Sequence, residues 1–237
     1  LGIAAIDTAS VIGSIQLAAA RTGVDFAYLL AEAKVESGLN PDAAAPTSSA
    51  RGLFQFTRAT WLDTVRRHGA EHGLGWAADA LASGADTATR AAILDLRRDA
   101  GASATMAAAL ASDNRAALEQ RLGKPATATD LYLAHFLGSA GAARFLAARA
   151  ADPDAAASSA VLPGQVRANA AVFTARDGRV RSLGEVYARF QARIGNTDIA
   201  SAPPSSAGNV LPRPGNPLPV AAPRAARAAY LLLAQLA

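Results

Sequence analysis

Residues 25–41 read Asp25-Phe26-Ala27-Tyr28-Leu29-Leu30-Ala31-Glu32-Ala33-Lys34-Val35-Glu36-Ser37-Gly38-Leu39-Asn40-Pro41. Asp25 opens the stretch as an N-cap, because a short carboxylate can accept from the unpaired amides of a first helical turn. Phe26, Leu29, Leu30 and Ala33 then recur at the three- and four-residue spacing that an amphipathic helix turns toward a core. Gly38 supplies the left-handed residue on which helices stop, and Asn40-Pro41 cannot continue one. The spacing predicts a helix that ends just before Gly38 and carries Glu32 and Glu36 one turn apart on the same face.

The rest of the chain repeats this pattern. Hydrophobic residues make up 51% of the 237 and aromatics only 5%. Alanine supplies much of the hydrophobic share, and it has the best helix propensity of all residues. An all-α protein is expected. A first helix runs over 8–20 with Ile12, Ile15, Gln16 and Ala19 at helical spacing, and Thr22-Gly23 breaks it. Thr57 is placed to cap a helix carrying Trp61, Leu62 and Val65. From Trp76 to Arg121 the pattern stays helical, punctuated at Gly84, Gly101 and Asp113-Asn114. Thr129 or Asp130 is expected to cap the next helix, through Leu131, Leu133, Ala134 and Leu137, with Gly138 and Gly141 interrupting it before 142–150. A last amphipathic segment spans 182–193, with Leu183, Val186, Tyr187 and Phe190 on one side.

Composition changes at Asn196. Of the chain's 12 prolines, 7 fall between Asp198 and Arg224. Such a segment buries too little apolar surface to offset its ordering entropy. The expected organisation is a helical domain over 1–195, a Pro/Ser/Gly-rich linker or tail over 196–224, and a short C-terminal helix over 225–237.

Several chemistries are excluded. With 0 cysteines the chain has no disulfide, thiol nucleophile or thiolate metal site. Net charge is +4, but no dense basic run interleaved with aromatics argues for nucleic acid. No metal-binding motif, nucleophile elbow or P-loop is present, and His68, His72 and His135 do not make a triad. The apolar stretch at 225–237 is too short to span a bilayer.

Glu36 is the candidate for chemistry. In the last turn of a helix the partial negative charge of the dipole opposes ionisation, which suits a proton donor near neutral pH. Downstream, the loop Ala50-Arg51-Gly52-Leu53-Phe54-Gln55-Phe56 offers two useful features. Gly52 lets backbone approach a ligand closely, and Gln55 has a donor and an acceptor for the amide and hydroxyl groups of acetylated sugars.

Together, Glu36-Ser37-Gly38-Leu39-Asn40-Pro41 and Gly52-Leu53-Phe54-Gln55 resemble the two leading motifs of the SLT-type lytic transglycosylases. That family carries a Glu-Ser pair ending a helix, an Asn-Pro turn, and then Gly-Leu-Met-Gln. Phe54 stands where the family usually has Met, and Ser49 where a glycine is common. A third family stretch, Ala-Tyr-Asn-Ala-Gly, is best matched by Ala134-His135-Phe136-Leu137-Gly138, with His135 for the tyrosine and Phe136 for the asparagine. Either Tyr132 or His135 is then expected to hydrogen-bond the catalytic carboxyl. Tyr187 is similar to a late family tyrosine that faces the active site, although its spacing equally fits a core stripe.

The resemblance implies a lysozyme-like fold with two lobes and a glycan groove. It implies Glu36 as the single catalytic acid, then base, and Ser37, Gly52, Phe54, Gln55, Tyr132, His135 and Tyr187 as substrate-binding residues, with no metal or cofactor. The partner would be the glycan strands of peptidoglycan, cleaved at the β-1,4 MurNAc–GlcNAc bond to leave 1,6-anhydroMurNAc ends. Two alternatives stay open: a hydrolytic muramidase, for which Asp63 is the second acid to watch, and a non-catalytic wall-binding module. A periplasmic or envelope location follows from the substrate alone, as no signal peptide is visible. The Pro-rich tail suits tethering to a partner in an envelope machine.

Overall fold

Caps set the helix boundaries in the computed structural model, which describes residues 7–46 and 48–194. The Pro-rich stretch 196–224 and the expected helix at 225–237 lie outside the described residues. Helix α1 (Thr8–Thr22) starts where the Asp7 carboxylate accepts from the Ser10 amide, and it stops on left-handed Gly23. Helix α2 (Phe26–Ser37) starts with Asp25 accepting from the Tyr28 amide and stops on Gly38 at φ 62°. Thr57 caps α3 (Arg58–His68). Then follow α4 (Gly75–Ala82) and α5 (Thr87–Asp95), the latter capped by Asp86. A 3-10 turn at Leu96–Arg98 leads into α6 (Ala100–Leu122), which opens on the Asp99 side chain and closes on Gly123. The remaining helices are α7 (Ala128–Leu137), α8 (Ser139–Ala151), α9 (Pro163–Ala168), α10 (Ala170–Phe173) and α11 (Leu183–Ile194).

Among the described residues no strand forms. Arg51 makes single antiparallel bridges to Ala44 and Phe56, which fold the 44–56 loop back on itself. No described helix is long and apolar enough to cross a membrane.

Helix α6 is the centre of the packing and lies against α1, α3, α7 and α8. It buries an almost continuous run from Ser103 to Ala109, then Ala111, Asn114 and Leu118. A helix apolar on all sides belongs inside a protein, and its alanines let neighbouring helices approach closely. Bulk comes from the partners: Trp61, Leu29, Leu53, Phe54, Phe145 and Phe173 have no exposed surface. The Trp61 indole also donates to the Ile93 carbonyl at 2.7 Å, joining α3 to α5.

The structure corrects several sequence expectations. Gly101 and Asp113-Asn114 do not punctuate the helical run; they lie inside α6. Asp99 caps two residues before Gly101, and Asp113 pairs outward with Arg67 and His68 of α3. The cap of α7 is Thr127, earlier than expected. Its side chain accepts from the Asp130 amide while the Asp130 carboxylate accepts from the Thr127 amide, a reciprocal capping box. Gly141 does not break α8 either, and a Cβ there would lie 3.1 Å from the Leu137 Cβ, so glycine lets the α7–α8 corner close.

The inward face of α2 is also wider than its apolar stripe. Tyr28 and Glu32 are buried with Leu29, Leu30 and Ala33, while Phe26 is half-buried. Tyr28, Glu32 and Glu36 therefore form one line, four residues apart, along the side of α2 that faces the protein.

Candidate active site

Glu36 lies one residue from the end of α2, part-buried. Across from it, α7 presents Tyr132 and His135, one turn apart. The Tyr132 hydroxyl donates to Glu36 Oε1 at 2.9 Å. Burial, then the Glu36 carboxylate, pushes the Tyr132 phenol far above its ordinary pKa, so it serves this bond as a fixed donor. Its ring is backed edge-on by Phe190 of α11 at 5.7 Å, and Phe190 in turn meets Phe136 at 5.1 Å. This aromatic cluster holds the donor in position.

His135 takes the other place expected of it only in part. Its Nδ1 lies 2.9 Å from Glu32 Oε1, and its Nε2 lies 3.9 Å from Glu36 Oε1. The ring stacks on Tyr132, with planes 7° apart and centroids 6.0 Å apart. Of the two candidates for the bond to Glu36, Tyr132 makes it. Glu32, one turn earlier on the same face of α2, is 3% exposed and turned into the protein. A carboxylate at that depth needs a cation, and His135 meets it.

The loop after α2 is fastened to the helix end. The Ser37 hydroxyl lies 2.8 Å from the Leu53 carbonyl and 3.1 Å from the Ala33 carbonyl. Its hydrogen is engaged by these carbonyls, so Ser37 positions the loop. Gly52 is needed for a different close approach from the one expected. At φ 79°, a Cβ there would fall 1.8 Å from the Arg97 carbonyl oxygen. The close neighbour the structure shows is the chain's own backbone. Phe54 has no exposed surface, so it is core and forms no wall for a bound sugar. Gln55 adopts φ 47° and gives its amide hydrogens to the Gly52 and Ala43 carbonyls. Its donor side therefore holds the loop.

Tyr187 is half-buried and part of neither simple expectation. Its hydroxyl donates to Asp130 Oδ1 at 2.9 Å, and the Arg149 guanidinium covers its ring at 3.7 Å. It ties α11 to α7 and α8.

Other acids are already engaged. Asp63 gives one oxygen to Arg66 at 2.7 Å and the other to Arg67 at 2.9 Å on its own helix. The hydrogen bond from Arg66 leads the shift of its carboxyl below the usual range. Asp42 pairs with Arg98 at 2.6 Å.

Sequence reasoning missed Arg97. It is 7% exposed, and its guanidinium donates to the carbonyls of Leu94, Ser49 and Phe56. Those bonds close the base of the loop. No local motif marks it, since the two loop carbonyls it holds lie 48 and 41 residues away in sequence.

The site thus consists of one part-buried glutamate at a helix end, its carboxyl gripped by a phenol from a facing helix, in an all-helical domain. The family model described as the transglycosylase SLT domain matches residues 13–83. That match agrees with the resemblance to the SLT-type lytic transglycosylases carried by the motifs. The match runs from within α1 to just past α4 and includes Glu32, Glu36, Ser37 and the loop through Gln55. An SLT domain points to lytic transglycosylase activity on peptidoglycan.

Proposed function

We propose that this domain cleaves the β-1,4 bond between MurNAc and GlcNAc and leaves 1,6-anhydroMurNAc ends, with Glu36 as acid and then base. The observation that carries the reading is the 2.9 Å bond from Tyr132 to Glu36 Oε1. With Oε1 held as an acceptor, the acidic hydrogen of Glu36 belongs on Oε2. That oxygen donates its proton to the glycosidic oxygen as the bond from C1 breaks, and GlcNAc departs with a free 4-hydroxyl. The muramic 2-acetamido oxygen supports the positive charge at C1. The sugar's own 6-hydroxyl then closes onto C1 and returns its proton to Glu36. No water is consumed, so one carboxylate is enough, whereas a hydrolase normally uses two flanking the bond.

The engagement of Asp63 and Asp42 with arginines favours this scheme over hydrolysis. The reading includes a two-lobed body with a groove for several sugars. It also includes work in the periplasm or cell envelope, where the polymer is, and a tether to an envelope partner through the Pro-rich stretch.

The test is a digest of purified peptidoglycan by the wild type and Glu36→Gln, with soluble fragments weighed by mass spectrometry. Anhydro products from the wild type that vanish in the variant are expected. Reducing ends, heavier by one water, would replace this reading with a muramidase. Glycan binding without fragments would replace it with a wall-binding module.

A further inference from the structure

The proposed reaction uses Glu36 and Tyr132 but leaves a buried acid unexplained. Glu32 sits one turn earlier on α2, 3% exposed, and its Oε2 has no hydrogen-bond partner. Isolated in this way, a carboxylate would be neutralised or would destabilise the fold. Its other oxygen meets His135 Nδ1 at 2.9 Å, and the second nitrogen of that ring faces Glu36 Oε1 at 3.9 Å. A flip of the ring would turn Nε2 away only by breaking the Glu32 bond, and the stack on Tyr132 fixes the ring plane.

We infer that Glu32 and His135 are a positioning pair for Glu36: Glu32 holds a protonated imidazole whose Nε2 faces Glu36 Oε1, and that cation stabilises the carboxylate left once Glu36 has given up its proton. The inference rests on the proposed role of Glu36. This role requires neither member of the pair to touch the sugar, and the imidazolium keeps its own protons throughout. The contribution is selective. While Glu36 is neutral the cation finds no charge there, and once Glu36 is ionised it finds one at 3.9 Å, so the interaction strengthens as the bond breaks.

The surroundings agree. From α2, Tyr28, Glu32 and Glu36 face this region; α7 contributes Tyr132, α6 the neutral Asn114, and α11 Arg193, whose charge acts on Tyr132. The charges that act on the ring itself are those of Glu32 and, more weakly, Glu36. Burial alone would lower the His135 pKa, but the Glu32 charge and hydrogen bond, with the Glu36 charge, outweigh it and raise the pKa to about 9.

The test combines carboxyl 13C titration of Glu36, assigned through Glu36→Gln, with turnover against pH for the wild type, Glu32→Gln and His135→Gln, all as the full chain. In His135→Gln the Glu36 midpoint is expected to rise by about one pH unit, as when an opposite charge is removed. In Glu32→Gln the imidazole loses its anion, so turnover falls about tenfold near neutral pH and recovers below about pH 6, where the ring charges again. His135→Gln shows no such recovery. A Glu36 midpoint that stays put in His135→Gln would overturn the inference, as would a Glu32→Gln pH profile parallel to that of the wild type. Should the variants not fold, 15N shifts of His135 in the wild type decide: both nitrogens protonated at pH 7.5 is expected, and a neutral ring overturns the pair. If the wild type releases no fragments while the Glu36 midpoint still moves, the proposed activity fails and the pair stands. If fragments form and the midpoint is unmoved, the reverse holds.

Discussion

The Ser37 hydroxyl lies 2.8 Å from the Leu53 carbonyl, joining the end of α2 to a loop residue 16 positions downstream. The residue beside Glu36 thus sets where the Gly52–Gln55 loop sits. Ser37→Ala removes this bond while leaving every carbon contact. It is expected to cost about 1 kcal/mol of stability, the net worth of one hydrogen bond, while turnover falls more than that loss explains. Urea melts alongside fragment release at saturating peptidoglycan separate the two effects.

Tyr132→Phe keeps the ring stacked on His135 and packed on Phe190 but removes the donor to Glu36. Turnover is expected to fall about tenfold or more, in line with the loss of a hydrogen bond to a charged group. The KM should change little, because the bond is made to the acid and not to the sugar. A large rise in KM with unchanged kcat would place Tyr132 on the substrate instead.

The His135 pKa of about 9 in the folded chain, against about 6.5 for a free histidine, makes a statement about stability. A raised pKa means the folded state binds the proton more tightly than the unfolded state does. The stabilisation is therefore complete below about pH 6.5 and is lost as pH rises through about 9. Thermal melts from pH 6 to 10 should show this decline, and Glu32→Gln should flatten it. A wild-type melting temperature constant across that range would contradict the charged pair.

Gly52→Ala forces a Cβ to within 1.8 Å of the Arg97 carbonyl oxygen at a φ of 79°. Backbone against backbone cannot be relieved by a rotamer change. A loss of about 3 kcal/mol or more is expected, read as a lower denaturation midpoint. Gly38→Ala, at a similar φ of 62° but with open space where its Cβ would lie, should cost only about 1 kcal/mol.

Much of this was legible in the residues. The N-cap Asp25 and the stop at Gly38 bracketed α2 because capping is local chemistry, read within four positions. Thr57 was legible for the same reason. The shift of the α7 cap to Thr127 was not, since Thr127, Thr129 and Asp130 are all good caps and only the reciprocal box with Asp130 decides among them. Gly101 and Asp113-Asn114 looked like breaks because helix propensity is weak beside the burial of Ser103 to Ala111, which carries α6 through them. Tyr132 and His135 could both be named for Glu36, but not ranked, because their ring positions depend on Phe190 and Glu32 from other helices. The spacing of Glu32 and Glu36 did carry a signal. Two acids one turn apart on an inward line require a cation opposite, and His135 was the histidine nearest a matching motif.

The grip of Arg97 on Ser49 and Phe56, and the contact of its own carbonyl with Gly52, bear on where the working unit begins and ends. The family match closes at residue 83, yet Arg97, Tyr132 and His135 all come later. A fragment cut to the matched stretch would retain Glu36 and its motif but lose the clasp beneath the loop and the phenol that grips the acid. If the proposed activity is transplanted, its smallest portable unit therefore extends through the turn that carries Arg97 and through α7, and a fusion built on the motif alone would carry an acid with nothing to aim it.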